Sequence, residues 1–134
     1  MIVTKEMLEE IRDLAGEKED LEGLMRRHGM TPTTANITGM PRGTSTSDPT
    51  GSAGSAVADL KTEWDAKVAE IAKRILVVEK ELSVLDSVHR RIVRLYYFEG
   101  MSDRRIANRM RMHFDVIGRK RRESISILSG GGNR

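Results

Sequence analysis

Residues 85–128 read LDSVHRRIVRLYYFEGMSDRRIANRMRMHFDVIGRKRRESISIL and contain three helix-sized segments separated by two turns. The first segment should end at Gly100, because glycine most easily takes the left-handed conformation that closes a helix. Ser102 is a good N-terminal cap for the short second helix, and a third helix should run from position 113 or 114 to Leu128. Two short helices joined by a tight turn, the second of them rich in arginine, predict a helix-turn-helix.

The second helix of such a unit enters the DNA major groove, where its first residues reach the base edges. Arg119 and Arg122 can pair with guanine, Asp115 can accept from a cytosine amino group, and Gly118 would permit close approach of the backbone. Phe114 is either a core residue or a contact to a thymine methyl group. The full set of candidates for base contact is His113, Phe114, Asp115, Gly118, Arg119 and Arg122. The candidates for phosphate contact, which positions a protein without reading sequence, are Arg104, Arg105, Arg109, Arg111 and Lys120.

Charge is distributed unevenly along the 134 residues. The chain has 23 basic and 20 acidic side chains, for a net charge of +3, but residues 1–60 carry −4 and residues 61–134 carry +7. Residues 90–122 contain 11 basic and 3 acidic side chains, a net charge of +8. Such a block is either a solvated helix face or the surface that meets a polyanion, and its overlap with the helix-turn-helix favours the polyanion.

Residues 57–85 carry an apolar stripe at steps of three and four residues, which predicts one long amphipathic helix. A helix of that length spans about 45 Å, and its stripe needs a partner. Residues 1–30 contain an acidic helix over 4–28 with a similar seam, which can fold back as an intramolecular hairpin. A second chain could instead, or in addition, pair with the stripe as a dimerising coiled coil. The candidates for this hairpin or oligomer interface are Ile11, Leu14, Leu21, Leu60, Trp64, Val68, Ile71, Ile75, Val78 and Leu82.

The remaining segments are poor in large apolar side chains. Residues 31–56 hold all three prolines among many Thr, Ser and Gly residues, which predicts a flexible linker, and residues 129–134 should form a flexible tail. The fold class expected from these patterns is all-α. A helical hairpin or coiled coil is followed by a three-helix helix-turn-helix unit at residues 86–128.

Composition excludes several classes of protein. There is no cysteine for a disulfide, no apolar run of membrane-spanning length, and no apolar signal region at the N-terminus. The three histidines are far apart and lack the spacing of metal ligands, and no nucleophile–base pair or paired carboxylate stands out. We therefore expect a cytoplasmic protein that is not an enzyme and needs no metal or cofactor.

The segment from Leu85 to Leu128 resembles region 4 of sigma-70-type factors. In that family a Tyr-containing helix ends at a glycine, and a Glu-Ile-Ala helix, a turn and a Thr-Val-rich recognition helix follow. The matching positions here are Tyr96, Tyr97, Gly100, Arg105-Ile106-Ala107 and Val116-Ile117. Three positions depart from the pattern, since Arg105 replaces the usual Glu, Arg111 stands where a turn glycine is common, and His113 replaces a Ser or Thr cap.

The chain as a whole, including residues 40–43 (MPRG) and 47–48 (SD), resembles the RinA/ArpU-type late transcription regulators of phages and prophages. This resemblance implies a sequence-specific duplex DNA-binding protein that controls phage late genes in a bacterial host cell. The expected partners are duplex DNA, a second copy of the chain with a dimer favoured, and RNA polymerase as a further candidate. Two other functions fit the same features, namely a small terminase subunit that binds a packaging site and a sigma-like interaction module that grips RNA polymerase.

Overall fold

The computed structural model describes residues 2–32 and 52–130, with side chains from residue 57 onward in the second range. Within these ranges the chain is helical and has no strand, so the predicted all-α class is confirmed. The helices are α1 (Lys5–Arg27), α2 (Ser52–Glu79), α3 (Ser87–Val93), α4 (Asp103–Met110) and α5 (Phe114–Leu128). A 3₁₀ turn (Lys80–Val84) follows α2, and a π-helical turn (Arg94–Phe98) extends α3. None of the helices in these two ranges has both the length and the apolar content to cross a bilayer.

Two compact units divide the chain, the first formed by Met1–Gly16 with Glu70–Arg134 and the second by Glu17–Ala69. In the second unit α1 packs on α2 with Trp64 at the centre. The Trp64 indole N–H donates to Glu22 at 3.0 Å, and Lys67 pairs with Glu17 at 2.6 Å, so the two helices run antiparallel. The buried side chains are Leu21, Met25 and Trp64, with Met30, Leu60 and Val68 packed against them.

The first unit has a larger core, formed by the first part of α1, the last part of α2, and α3, α4 and α5 with the turns next to them. Its main cluster of buried residues is Val3, Leu8, Ile11, Ile71, Val78, Leu82, Leu85, Val93, Tyr97 and Leu128. Leu14 and Ile75 are half-buried against this cluster. Every candidate predicted for the hairpin or oligomer interface is therefore buried or half-buried within the chain, as the intramolecular alternative requires.

The boundaries of α2 differ from those expected. The helix begins at Ser52, inside the predicted 31–56 linker, because no proline follows Pro49 and alanine favours the helix from there. Its regular part ends at Glu79, where a 3₁₀ turn closes with a bond from the Leu85 N–H to the Leu82 carbonyl at 3.0 Å. The rest of the predicted linker, 33–51, and most of the predicted tail, 131–134, lie outside the described residues.

The helix-turn-helix segment, residues 86–128, belongs to the same compact unit as the start of the chain. The start of the chain packs on it, and the Val3 N–H donates to the Leu128 carbonyl at the end of α5 at 3.4 Å. Val3 and Leu8 are fully buried but are not among the residues predicted for the hairpin interface. The apolar face of the N-terminal segment is therefore wider than a coiled-coil stripe. Three short helices leave apolar outer faces uncovered, and the N-terminal segment covers them.

Candidate nucleic-acid interface

The turn from α3 to α4 follows the local signals in the sequence. Gly100 has a positive φ of +76°, as expected for the residue that ends the preceding helix. The Ser102 hydroxyl accepts a hydrogen bond from the Arg105 N–H at 3.2 Å, which confirms Ser102 as the N-cap of α4. The core beneath this turn consists of Ile92, Met101, Ile106, Ala107 and Ile117, with Met112 packed against it.

The turn from α4 to α5 uses two residues that depart from the sigma-like pattern. Arg111, at the position where glycine is common, adopts the left-handed conformation with φ 58° and ψ 49°. The Met112 N–H donates to the Ala107 carbonyl at 3.0 Å, which closes the turn. His113 caps α5, because its Nδ1 accepts from the Asp115 N–H at 3.1 Å. The His113 imidazole nitrogen therefore accepts the capping hydrogen bond that a Ser or Thr hydroxyl usually accepts.

Phe114 lies at the surface at the start of α5, with 38% of its area exposed. Its ring stacks on the His113 ring with centroids 4.8 Å apart and an interplanar angle of 23°. The Arg104 guanidinium lies 4.8 Å from the centre of the same ring. The core alternative for Phe114 is therefore wrong, and the ring is held at the surface beside a cavity of about 280 Å³. That cavity is lined by Arg104, Ala107, Asn108, Met112, His113 and Phe114.

The candidate cations for DNA contact lie on the outside of α4, the turn and α5. Six are exposed, namely Arg104, Arg105, Arg109, Arg111, Arg119 and Arg122, while Lys120 is half-buried. Of these seven cations, only Arg119 has a carboxylate within 4.0 Å in the described ranges, its partner Glu123 lying 3.9 Å away. A polyanion can therefore approach most of these cations without displacing an ion pair. Asp115 is 77% exposed near the start of the same helix.

Gly118 does not lie on the exposed face, so its predicted role in close approach to DNA is wrong. The residue is buried against α4. A Cβ there would lie 3.5 Å from a carboxylate oxygen of Asp103 and 3.4 Å from an Arg122 nitrogen. The inward face of α5 runs through positions 117, 118, 121, 124 and 128, which is wider than the stripe of isoleucines suggested. These are ordinary van der Waals distances, so the crossing of α4 and α5 does not depend on the absence of a side chain at position 118.

An ion pair between Asp103 and Arg121 joins α4 to α5 and was not expected from the sequence. The Arg121 guanidinium donates through Nη2 to Oδ2 at 2.7 Å and through Nε to Oδ1 at 3.3 Å. Its carbon also lies 4.0 Å from the centre of the Tyr96 ring. The only signal available was that Arg121 falls on an otherwise apolar face, where a charge needs a partner.

His89 links the start of α3 to the middle of α5. Its Nδ1 lies 2.8 Å from Asp86, the N-cap of α3, and its Nε2 lies 2.9 Å from Glu123. Burial lowers the pKa of His89, but the hydrogen bonds with Glu123 and Asp86 raise it more, so the pKa lies above its ordinary value. The imidazolium form can donate to both carboxylates at once, whereas the neutral ring can donate to only one.

Taken together, these residues form a set of exposed cations on α4, the following turn and α5, and Arg104 of this set lies beside Phe114 at the start of α5. No grouping of three or more potential ligand side chains suited to a metal ion occurs in the described ranges. Comparison with known proteins adds no further guide, since no family model, curated protein or solved structure matches this chain.

Proposed function

We propose that this chain binds duplex DNA in a sequence-specific manner through α4 and α5, and that it regulates transcription of phage late genes. The observation that carries the proposal is the set of exposed arginines on these two helices and the turn between them, of which only Arg119 has a carboxylate within 4.0 Å in the part of the chain that the structure describes. An exposed cation that is not already paired gains most from a phosphate, because no existing ion pair is lost.

The two helices would divide the contacts. In this proposal Arg119 and Arg122 read guanines from α5, Asp115 accepts from a cytosine amino group, and Phe114 meets a thymine methyl group. The phosphate contacts come from α4 and the turn, since these cations flank the reading helix; they are Arg104, Arg105, Arg109 and Arg111, with Lys120 from α5.

The transcriptional role is supported by the resemblance to sigma region 4 and to the RinA/ArpU-type regulators. A dimer belongs to the same proposal, and the residues of the long apolar stripe are already buried or half-buried within the chain. A second copy could pack against what these helices leave exposed, and the exposed apolar side chains on and after α2 are Leu76, Val77 and Val84.

The first experiment measures the affinity for a duplex, selected from phage genomic fragments, as a function of salt. If the five predicted phosphate contacts form, log affinity should fall against log salt with a slope of about −4 to −5. Arg119→Ala or Arg122→Ala should weaken binding to the selected duplex by about 1–3 kcal/mol. Arg26→Ala is the charge-matched control, because Arg26 is exposed on α1 and outside the interface. Absence of binding to any fragment at low salt would contradict the proposal.

The same selection separates regulation from the other functions. Recovery of fragments upstream of late genes would support a regulator, whereas recovery of a single packaging region would favour a small terminase subunit. Retention of RNA polymerase by variants that have lost the α5 arginines, in extracts freed of nucleic acid, would favour the sigma-like interaction module.

A further inference from the structure

Arg12 of α1 reaches the turn that leads from α3 into α4. Its Nη1 donates to the Tyr96 carbonyl at 2.6 Å and to the Met101 carbonyl at 3.1 Å. Tyr96 precedes Gly100 and Met101 follows it, so one nitrogen binds both sides of the chain reversal. Carbonyls at the end of a helix lack partners within the helix and attract positive charge, which makes a guanidinium well suited to this place.

The same guanidinium begins a series of contacts that ends at the crossing of α4 and α5. The Arg12 carbon lies 3.8 Å from the centre of the Tyr96 ring, and the Arg121 carbon lies 4.0 Å from it. Arg121 in turn holds Asp103 in the first turn of α4 through two hydrogen bonds. The position of Tyr96 therefore affects both the turn that Arg12 binds and the ion pair that sets α5 against α4.

A second residue of α1 fits the same turn. Ala15 is buried one turn after Arg12, on the same side of the helix. Its Cβ lies 3.7 Å from where a Cβ on Gly100 would be, so helix and turn are in close contact. Arg12 and Ala15 thus meet the same segment from neighbouring turns of α1, one through hydrogen bonds and the other through packing.

From these contacts we infer that Arg12 is a positioning residue for the helix-turn-helix, and that α1 is a working part of the DNA-binding unit. Arg12 acts without touching DNA, because it is half-buried and one of its terminal nitrogens already serves two backbone carbonyls. The inference rests on the proposed function only where it concerns DNA affinity. Its structural part can be tested without DNA.

The structural test compares Arg12→Gln with Arg27→Gln, which removes the same charge from the exposed end of α1. Amide hydrogen exchange is followed by NMR at a temperature where both proteins are folded. In Arg12→Gln, exchange should accelerate about 10-fold or more, since a hydrogen bond from a charged donor is lost. The amides that report on the two turns are those of Met101, Ile106 and Met112. Unchanged exchange there, or faster exchange spread evenly to the amides around Trp64, would overturn the inference.

A conservative variant covers the case in which Arg12→Gln does not fold. Arg12→Lys keeps the positive charge but cannot both stack flat on Tyr96 and reach the two carbonyls. Its exchange at the same amides should be faster than in the unsubstituted protein, while Arg27→Lys should have no effect. Equal protection in both lysine variants would overturn the inference.

The DNA test measures affinity and its salt dependence for Arg12→Gln on the selected duplex. A positioning role predicts a dissociation constant raised about 10-fold with an unchanged salt slope, because no phosphate contact is removed. A slope reduced by about 1 would identify a direct phosphate contact, and an unchanged dissociation constant would show no role, so either result overturns the inference. If the unsubstituted protein binds no duplex, the proposed function fails and hydrogen exchange alone decides the role of Arg12.

Discussion

The ion pair between Asp103 and Arg121 can be measured by a double-mutant cycle. An exposed ion pair contributes about 0.2–1 kcal/mol, whereas breaking a fully buried pair costs about 3–5 kcal/mol. This pair lies between these limits, because its side chains are 28% and 16% exposed and two hydrogen bonds join them. We therefore expect a coupling free energy of about 1.5–2.5 kcal/mol between Asp103→Ala and Arg121→Ala.

The assay is urea unfolding of the unsubstituted protein, the two single variants and the double variant at neutral pH. The cycle removes the separate effects of each residue, including the favourable position of Asp103 in the first turn of α4. Lys5 and Glu9 provide the control cycle, because they form an exposed pair at 3.8 Å on α1 within the same unit. Their coupling should be below about 0.5 kcal/mol.

DNA binding by Asp103→Ala gives a second test, because a positioning role of the ion pair and a purely electrostatic effect of the carboxylate predict opposite changes in affinity. Removing the Asp103 carboxylate makes α4 more positive, so electrostatics alone would strengthen DNA binding. If the ion pair positions α5, the same substitution should weaken binding despite the added charge. A coupling below about 0.5 kcal/mol together with tighter DNA binding by Asp103→Ala would refute the reasoning.

Two further predictions concern the turn and the histidine. Arg111→Gly should raise the free energy of unfolding by about 0.5–1 kcal/mol in urea, since relief of the left-handed conformation outweighs the added freedom of the unfolded chain. The same variant should bind duplex DNA more weakly, and a less stable protein would contradict this account. The loss of unfolding free energy caused by His89→Gln should be largest at about pH 5–6, where His89 is protonated and both carboxylates are ionised. The difference in stability should shrink as pH rises through the pKa of His89, which is raised. It should also shrink as pH falls and protonates Asp86 and Glu123, whose pKa values are lowered by hydrogen bonds from His89. Urea unfolding at several pH values tests this, and a difference that does not change with pH would count against it.

Local features of the helix-turn-helix were predictable from sequence. Gly100 and Ser102 act through their own backbone conformation and through neighbours within three residues, so their identity nearly determines their role. The start of α5 was also placed correctly, although its cap is His113 rather than a hydroxyl. The apolar periodicity of α2 likewise identified the residues that pack, because burial repeats with the helix turn.

Contacts between distant residues were not predictable in the same way. Arg12 binds carbonyls 84 and 89 residues away, and Arg121 binds a carboxylate 18 residues away, so neither partner follows from spacing. Gly118 was misplaced for a related reason. Whether a glycine of α5 faces solvent or α4 depends on how the two helices pack, and residue spacing alone does not show that Gly118 is buried.

The net charge of the chain is small, but its basic side chains differ in whether they are paired with carboxylates. On α1, Glu10 pairs with Arg74 at 2.5 Å in the first unit and Glu17 pairs with Lys67 at 2.6 Å in the second. These acidic residues thus neutralise cations of α2, while most of the predicted DNA contacts have no carboxylate nearby in the described ranges. Because exposed ion pairs contribute little to stability, added salt should scarcely affect the hairpin. It should act mainly on the unpaired arginines of α4 and α5, whose attraction for a polyanion depends on release of counterions.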